Sequence, residues 1–250
     1  MGELAKFHAR TDVKGYAVDL LGGGVLILFT NQYDPAIAKE TDAILTWLGT
    51  PPGFTVNLWW RHDPRRIAAN EWPSRRTVNG GWTYANSSSV IVYRSEEWDR
   101  VLIHEVIHAL GWDWSMPSAP LKCWNLDETA QLQPALFEAW TELYAEWLWC
   151  GWHNIPWERQ RAWQDEQAVQ ILARRKDTSW SEDTNVFAYY VLKAALAPHI
   201  AFVLCFGNGT TSEERSAVLC RLLSPELERL RGRAASTIPK DISLRMTLKK

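Results

Sequence analysis

The stretch that most restricts this chain is His104-Glu105-Val106-Ile107-His108, set in a mainly apolar run from Trp98 to Gly111. On an α-helix, residues four apart lie one above the other. A helix here therefore points both imidazoles the same way and lets them grip one metal ion. The flanks ask for that helix. Glu96, Glu97 and Asp99 suit the positive end of a helix dipole, and Gly111 suits a left-handed stop after the last turn. Glu105 sits one step round from the two histidines, where a carboxylate can orient a water and take its proton. H-E-x-x-H has only three fixed positions, so a helix that carries two histidines by accident competes with the metal. The acidic start and the glycine stop favour the metal.

A second helix follows downstream. Leu136, Phe137, Trp140, Leu143, Tyr144, Trp147 and Leu148 recur at three and four, with Pro134 as the restart. Glu138, Glu142 and Glu146 lie four apart along one edge of this stripe. Alone, such a row reads as a solvated acidic face. Behind an H-E-x-x-H it becomes a source of a third ligand.

Motif, helix and acidic row together resemble the zincin metallopeptidases. The metzincin extension H-E-x-x-H-x-x-G-x-x-H is not met: Gly111 fits, but Trp114 stands where the last histidine is due, and Asp113 is one residue out of place. The gluzincin branch instead takes a Glu from a later helix, followed four residues on by an acid that steadies a ligand histidine. Resemblance to that branch implies Zn2+ held by His104, His108 and Glu138, with Glu142 behind a ligand histidine. Glu142, backed by Glu146, is the alternative third ligand. Glu105 is then the base, and an oxyanion donor comes from a later segment: Tyr190 or Tyr189, with His199 and His153 behind them. Neighbouring tyrosines on a helix face different ways, so at most one serves.

The resemblance also implies the fold and the substrate. The expected fold is α+β and zincin-like, a single domain over residues 1–250. A small mixed sheet with helices spans 1–97, a helical lobe carrying the metal site spans 98–233, the cleft lies between them, and 234–250 is a basic tail. The substrate is a peptide or protein, laid along the strand before the motif by main-chain hydrogen bonds. Two other readings remain open. One is a non-catalytic zincin-like domain with a structural or absent metal, whose tryptophan-rich surface binds a partner. The other is a zinc hydrolase of a non-peptide amide.

Composition sets limits on partners and location. A net charge of −2 over 250 residues gives no indication of nucleic acid or an anionic membrane as partner. The apolar run Leu20–Phe29 is broken by three glycines and falls short of the roughly 20 residues that span a bilayer. The first ten residues are mixed and polar rather than a signal peptide, so the expectation is a cytoplasmic protein. Cys123, Cys150, Cys205 and Cys220 form no C-x-x-C pair; the even count permits two disulfides, and free buried thiols are the expectation preferred. His8 and His62 read as surface residues.

The rest of the chain supplies ordinary elements. Residues 13–30 predict two strands joined at Gly22-Gly23-Gly24, and Asp34-Pro35 opens a helix with Ile37, Ile44, Leu45 and Leu48 inward, closed by Gly49. Phe54–Trp60 alternates and reads as a strand, and Ser89–Tyr93 is a β-branched strand. Between them lies a polar loop with solvated pairs Arg65-Arg66 and Arg75-Arg76, then an Asn79-Gly80 turn signal. A Pro- and Trp-bearing loop over 112–124 and a capping box from Asn125 precede the second helix. Further helices are expected over 157–175, 185–197 and from Ser212 to near Leu230, with Pro225 as a break point and a fraying tail from Gly232.

Overall fold

The computed structural model describes residues 12–113, 136–175, 184–204 and 212–248. In chain order the strands are β1 (Lys14–Asp19), β2 (Val25–Thr30), β3 (Thr55–Trp59), β4 (Arg66–Ile67), β5 (Gly81–Trp82), β6 (Ser89–Val92) and β7 (Ile242–Ser243). The helices are α1 (Pro35–Leu48), α2 (Arg75–Val78), α3 (Trp98–Ala109), α4 (Leu136–Trp152), α5 (Trp157–Ala173), α6 (Lys193–Leu196), α7 (Ile200–Leu204) and α8 (Ser212–Ala235). A π-helix, Phe187–Leu192, runs into α6, and a 3-10 turn, Ala197–His199, joins α6 to α7. The architecture is mixed α and β, in two units: Met1–Pro64 with Gly80–Trp112, and Arg65–Asn79 with Asp113–Lys250. The division falls after α3 rather than before it. α3 lies on β5, β6 and α1, so the motif helix belongs with the sheet.

The first unit is built on a five-stranded sheet of order β1-β2-β3-β6-β5. β1 and β2 form the expected hairpin, paired from Lys14↔Thr30 to Asp19↔Val25, and Gly23 takes the left-handed turn position at φ 83°. β2, β3 and β6 run parallel. A parallel pair needs a crossover, and α1 provides it between β2 and β3. Alternation decides the sheet's inner face. Leu26, Val56 and Val90 share one row, Leu28, Leu58 and Val92 the next, and all six are at most 1% exposed. Each such side chain contributes roughly 1.5–3 kcal/mol of transfer free energy. Asp34 caps α1 by accepting from Ala36 N–H at 2.9 Å, and Gly49 ends it in the left-handed conformation.

α3 starts and stops as the sequence implies. Glu97 is its N-cap, Asp99 lies in the first turn, and Gly111 adopts φ 66°. There the Gly111 N–H bonds His108 O at 3.0 Å and the Trp112 N–H bonds Ile107 O at 3.1 Å, which closes the helix end. One expectation changes. Asn79-Gly80 is not a two-residue hairpin turn; α2 ends at Val78, and Gly81-Trp82 then joins the sheet beside β6. β6 is therefore flanked on both sides, and β5 takes the margin at which a substrate strand was expected to meet β6.

The second unit is mainly helical. Leu143, Trp149, Ile171, Phe187, Val191, Leu223, Leu227 and Leu230 form its apolar core. α8 passes through Pro225 unbroken, with Leu219, Leu223, Leu227 and Leu230 buried along one stripe. Packing of that stripe overrides the local penalty for proline. Arg65, expected at the solvated surface, is 1% exposed, whereas Arg66, Arg75 and Arg76 do lie outside.

The tail is the largest departure. Residues 240–248 do not fray. β7 pairs with β4, the Leu244 N–H bonds Arg65 O at 2.7 Å, and Leu244, Met246 and Thr247 are at most 3% exposed. α5 and its C-cap Arg174 present Gln160, Trp163, Gln167, Gln170 and Arg174 at three-and-four spacing, and these side chains meet the tail's main chain. Trp163 Nε1 donates to Arg245 O at 2.9 Å, Gln160 Nε2 to Met246 O at 2.6 Å and Gln167 Nε2 to Ser243 O at 3.2 Å. Arg174 donates to Lys240 O, while Gln170 and Gln160 accept from the N–H groups of Lys240 and Leu248, both at 3.2 Å. Buried peptide groups need partners, and here side chains supply what a longer ladder otherwise would.

Cysteine chemistry also departs from expectation. Cys150 is a free, buried thiol, but Cys220 is disulfide-bonded. Bonding depends on a Cα separation of about 4.4–6.8 Å, which spacing along the sequence does not reveal. Cys123, Cys205, His8, most of the 112–124 loop, the Asn125 capping box and Pro134 lie outside the described residues.

Candidate functional site

α3 sets His104 and His108 one turn apart. Their Nε2 atoms lie 3.0 Å from each other, with ring centroids at 4.7 Å and planes at 77°. Two imidazoles bound to a tetrahedral Zn2+ at about 2.0–2.1 Å place their nitrogens near 3.3–3.4 Å apart. The observed spacing is close to that, so the two ring nitrogens fit a shared ion. His104 is buried and His108 half-buried.

Glu105, 5% exposed, points beneath the sheet margin. A Cβ added at Gly81 would come within 2.8 Å of Glu105 Oε1, so the carboxylate lies directly against β5. The Tyr93 N–H bonds Gly80 O at 2.8 Å, which makes Gly80/Tyr93 a bonded antiparallel pair. The next pair, Gly81/Val92, is then a non-bonded one, and the N–H and C=O of Gly81 face away from β6 along the outer margin. The candidate base and an outward main-chain pair are thus neighbours in this unit.

In the helical unit, α4 carries the three acids. Glu138 is half-buried in its first turn, Glu142 is 1% exposed and Glu146 is 0% exposed, so the row is not a solvated face. Glu146 forms an ion pair with Lys193, itself 0% exposed, and accepts from Gln160 Nε2 at 2.6 Å and Gln164 Nε2 at 2.5 Å. Burial pushes the Glu146 carboxyl up, the Lys193 ammonium pulls it back, and the charge of Glu142 pushes it up again. With these partners Glu146 is committed to the core. The network was not anticipated. Its trace in the sequence is a lone lysine inside the apolar run Phe187–Ala197 and a helix bearing buried glutamines. Nearby, burial and then Glu146 push the Cys150 thiol up to about 12.

The tyrosines separate. Residues expected as α-helix form a π-helix over Phe187–Leu192, whose wider turn sets Tyr190 inward. The Tyr190 hydroxyl is buried and donates to Leu244 O at 2.8 Å, so its proton holds the tail rather than facing a reacting group. Tyr189 is half-buried. His199 is half-buried at the end of the 3-10 turn, and His153 packs edge-on against Trp149 at 4.7 Å. His62 Nδ1 lies 3.0 Å from Ser95 Oγ.

The chain matches no protein-family profile, no curated protein and no solved structure. Among the described residues no helix is long and apolar enough to cross a membrane.

Proposed function

We propose that this chain is a zincin-like hydrolase of the gluzincin kind, which cleaves peptide bonds with an activated water. The observation that carries the reading is the convergence of the His104 and His108 ring nitrogens beside a buried Glu105 on one helix. His104, His108 and Glu138 supply two imidazoles and a carboxylate, a set able to hold a metal ion. That donor set suits Zn2+ and leaves a position for water. Such an ion supplies Lewis acidity and brings the pKa of its water towards neutrality.

The chain's own residues do the rest. Glu105 takes the proton of the attacking water and returns it to the leaving amine. Glu142 is the acid that the gluzincin resemblance assigns to steadying a ligand histidine. The outward N–H and C=O of Gly81 pair with an extended substrate, as main-chain groups at a sheet margin do. Of the two tyrosines, Tyr189 keeps the role of oxyanion donor, since the Tyr190 proton is engaged by Leu244.

The test is metal content and hydrolysis of quenched fluorescent peptides. The purified protein is expected to hold about one zinc per chain. Glu105→Gln is expected to keep that zinc and lose roughly 10²–10⁴-fold in rate. A metal-free protein, or a Glu105→Gln variant that cleaves at the native rate, removes the reading.

A further inference from the structure

Gly81 occupies a position where no side chain fits, and the space it leaves is taken by Glu105. Its φ is not in the left-handed range, so the backbone there suits any L-residue. Room, rather than conformational freedom, is what excludes a Cβ. One added at Gly81 would lie 2.6 Å from Ile91 O, 2.8 Å from Glu105 Oε1 and 2.9 Å from Glu105 Cγ. Ordinary carbon contacts begin at about 3.5 Å. Two of the three clashes fall on one side chain, and that side chain is the candidate base.

We propose that Gly81 is the positioning residue for Glu105. The inference rests on the hydrolase reading above. α3 fixes where the Glu105 side chain starts, and the bare backbone of β5 fixes where its carboxylate stops. A methyl group at residue 81 meets Ile91 O, which is main chain held in the sheet, and the Glu105 side chain, which can swing. Swinging the carboxylate relieves the two Glu105 contacts, whereas the tightest contact, with Ile91 O, is relieved only by a shift of β5 itself in either background. A displacement of about 1 Å in a reacting group costs roughly 100-fold in rate. His104 and His108 leave α3 one residue before and three residues after Glu105, and neither supplies any of the three atoms nearest the added Cβ.

The experiment combines Gly81→Ala with Glu105→Ala in a double-mutant cycle, read by urea unfolding, alongside kinetics and zinc content of Gly81→Ala alone. The expected kinetic result is a kcat lower by about 100-fold with zinc content retained. The expected stability result needs no activity. Gly81→Ala should raise the unfolding constant at least about fivefold more in the native background than in Glu105→Ala, where the two side-chain clashes are gone. An equal penalty in both backgrounds, or failure to fold in both, means that the sheet alone requires this glycine, and overturns the proposal. So does a Gly81→Ala variant with native kcat. If the native protein cleaves no peptide, the hydrolase reading falls and takes the kinetic half of the proposal with it. The cycle still decides whether residue 81 sets the place of Glu105.

Discussion

Lys193→Met is the sharpest test of how the helical unit is held together. Methionine keeps the length of the lysine stem and removes its charge. Lys193 and Glu146 are both 0% exposed, so neither can turn to water when the other is lost. Breaking a buried pair from one side typically costs about 3–5 kcal/mol, because the remaining charge stays desolvated. Gln160 and Gln164 still donate to Glu146 in the variant, which sets the expectation at the lower end, about 3 kcal/mol. Against a total of roughly 5–15 kcal/mol, that is a large share. Urea unfolding followed by tryptophan fluorescence reads it, and 16 tryptophans give ample signal.

The pH dependence of the same variant fixes the cause. Burial already raises the Glu146 carboxyl, and losing Lys193 raises it further. The folded state then binds a proton more tightly than the unfolded state. Stability of Lys193→Met is therefore highest below the ordinary carboxyl range and falls as pH rises through the raised value. Pairing the change with Glu146→Leu should recover most of the loss, since a buried ion pair is commonly replaceable by apolar side chains. A single-variant loss under about 1 kcal/mol, the level of an exposed pair, would refute the desolvated ion pair altogether.

Three further outcomes are expected. The Cys150 thiol, held near 12 against an ordinary 9.0, should resist alkylation until the protein unfolds. Across that interval the unfolded chain ionises its thiol first, so stability falls with rising pH, and the slope should shrink in Cys150→Ala. Tyr190→Phe deprives a buried carbonyl of its donor and should cost about 1–2 kcal/mol in urea unfolding; no change would mean that the Leu244 contact is not formed. Leu244→Ala, at a fully buried position in the tail, should cost about 2–5 kcal/mol, and a neutral result would show that 240–248 is a loose end.

The parts of the fold written in short-range patterns were legible. Alternation in β3, the apolar run of β2 and the β-branched run of β6 announce strands, and Asp34 and Gly49 bracket α1, because each signal acts within a few residues. The motif helix was legible for the same reason, from the acids at its start to Gly111 at its end. What escaped depends on partners far away in sequence. The alternation of Ile242, Leu244 and Met246 was masked by the basic residues around it, and its receptors on α5 are glutamines, a type usually counted as surface. Glu146 and Lys193 stand 47 residues apart, and neither reads as core until the other is beside it. β5 is only two residues long, and its glycine is there for space, which no propensity scale records. Tyr190 was given a chemical role because a tyrosine in an apolar run looks the same whether its hydroxyl meets a substrate or a peptide carbonyl.

The docking of residues 240–248 also governs when this unit can finish folding. Arg65 and Ser243, whose main-chain and hydroxyl oxygens meet at 3.5 Å, are separated by 178 positions. A ribosome adding about 5–20 residues per second needs roughly 10–35 s to travel that distance. Throughout that wait Arg65 has no tail to hold, and the glutamine face of α5, once made, also stays solvated until the tail arrives. The sheet unit, whose last strand and motif helix are made by Trp112, can be complete long before. The nascent chain should therefore show an early protease-resistant half and a late-closing one, with holdase chaperones finding their target in the second.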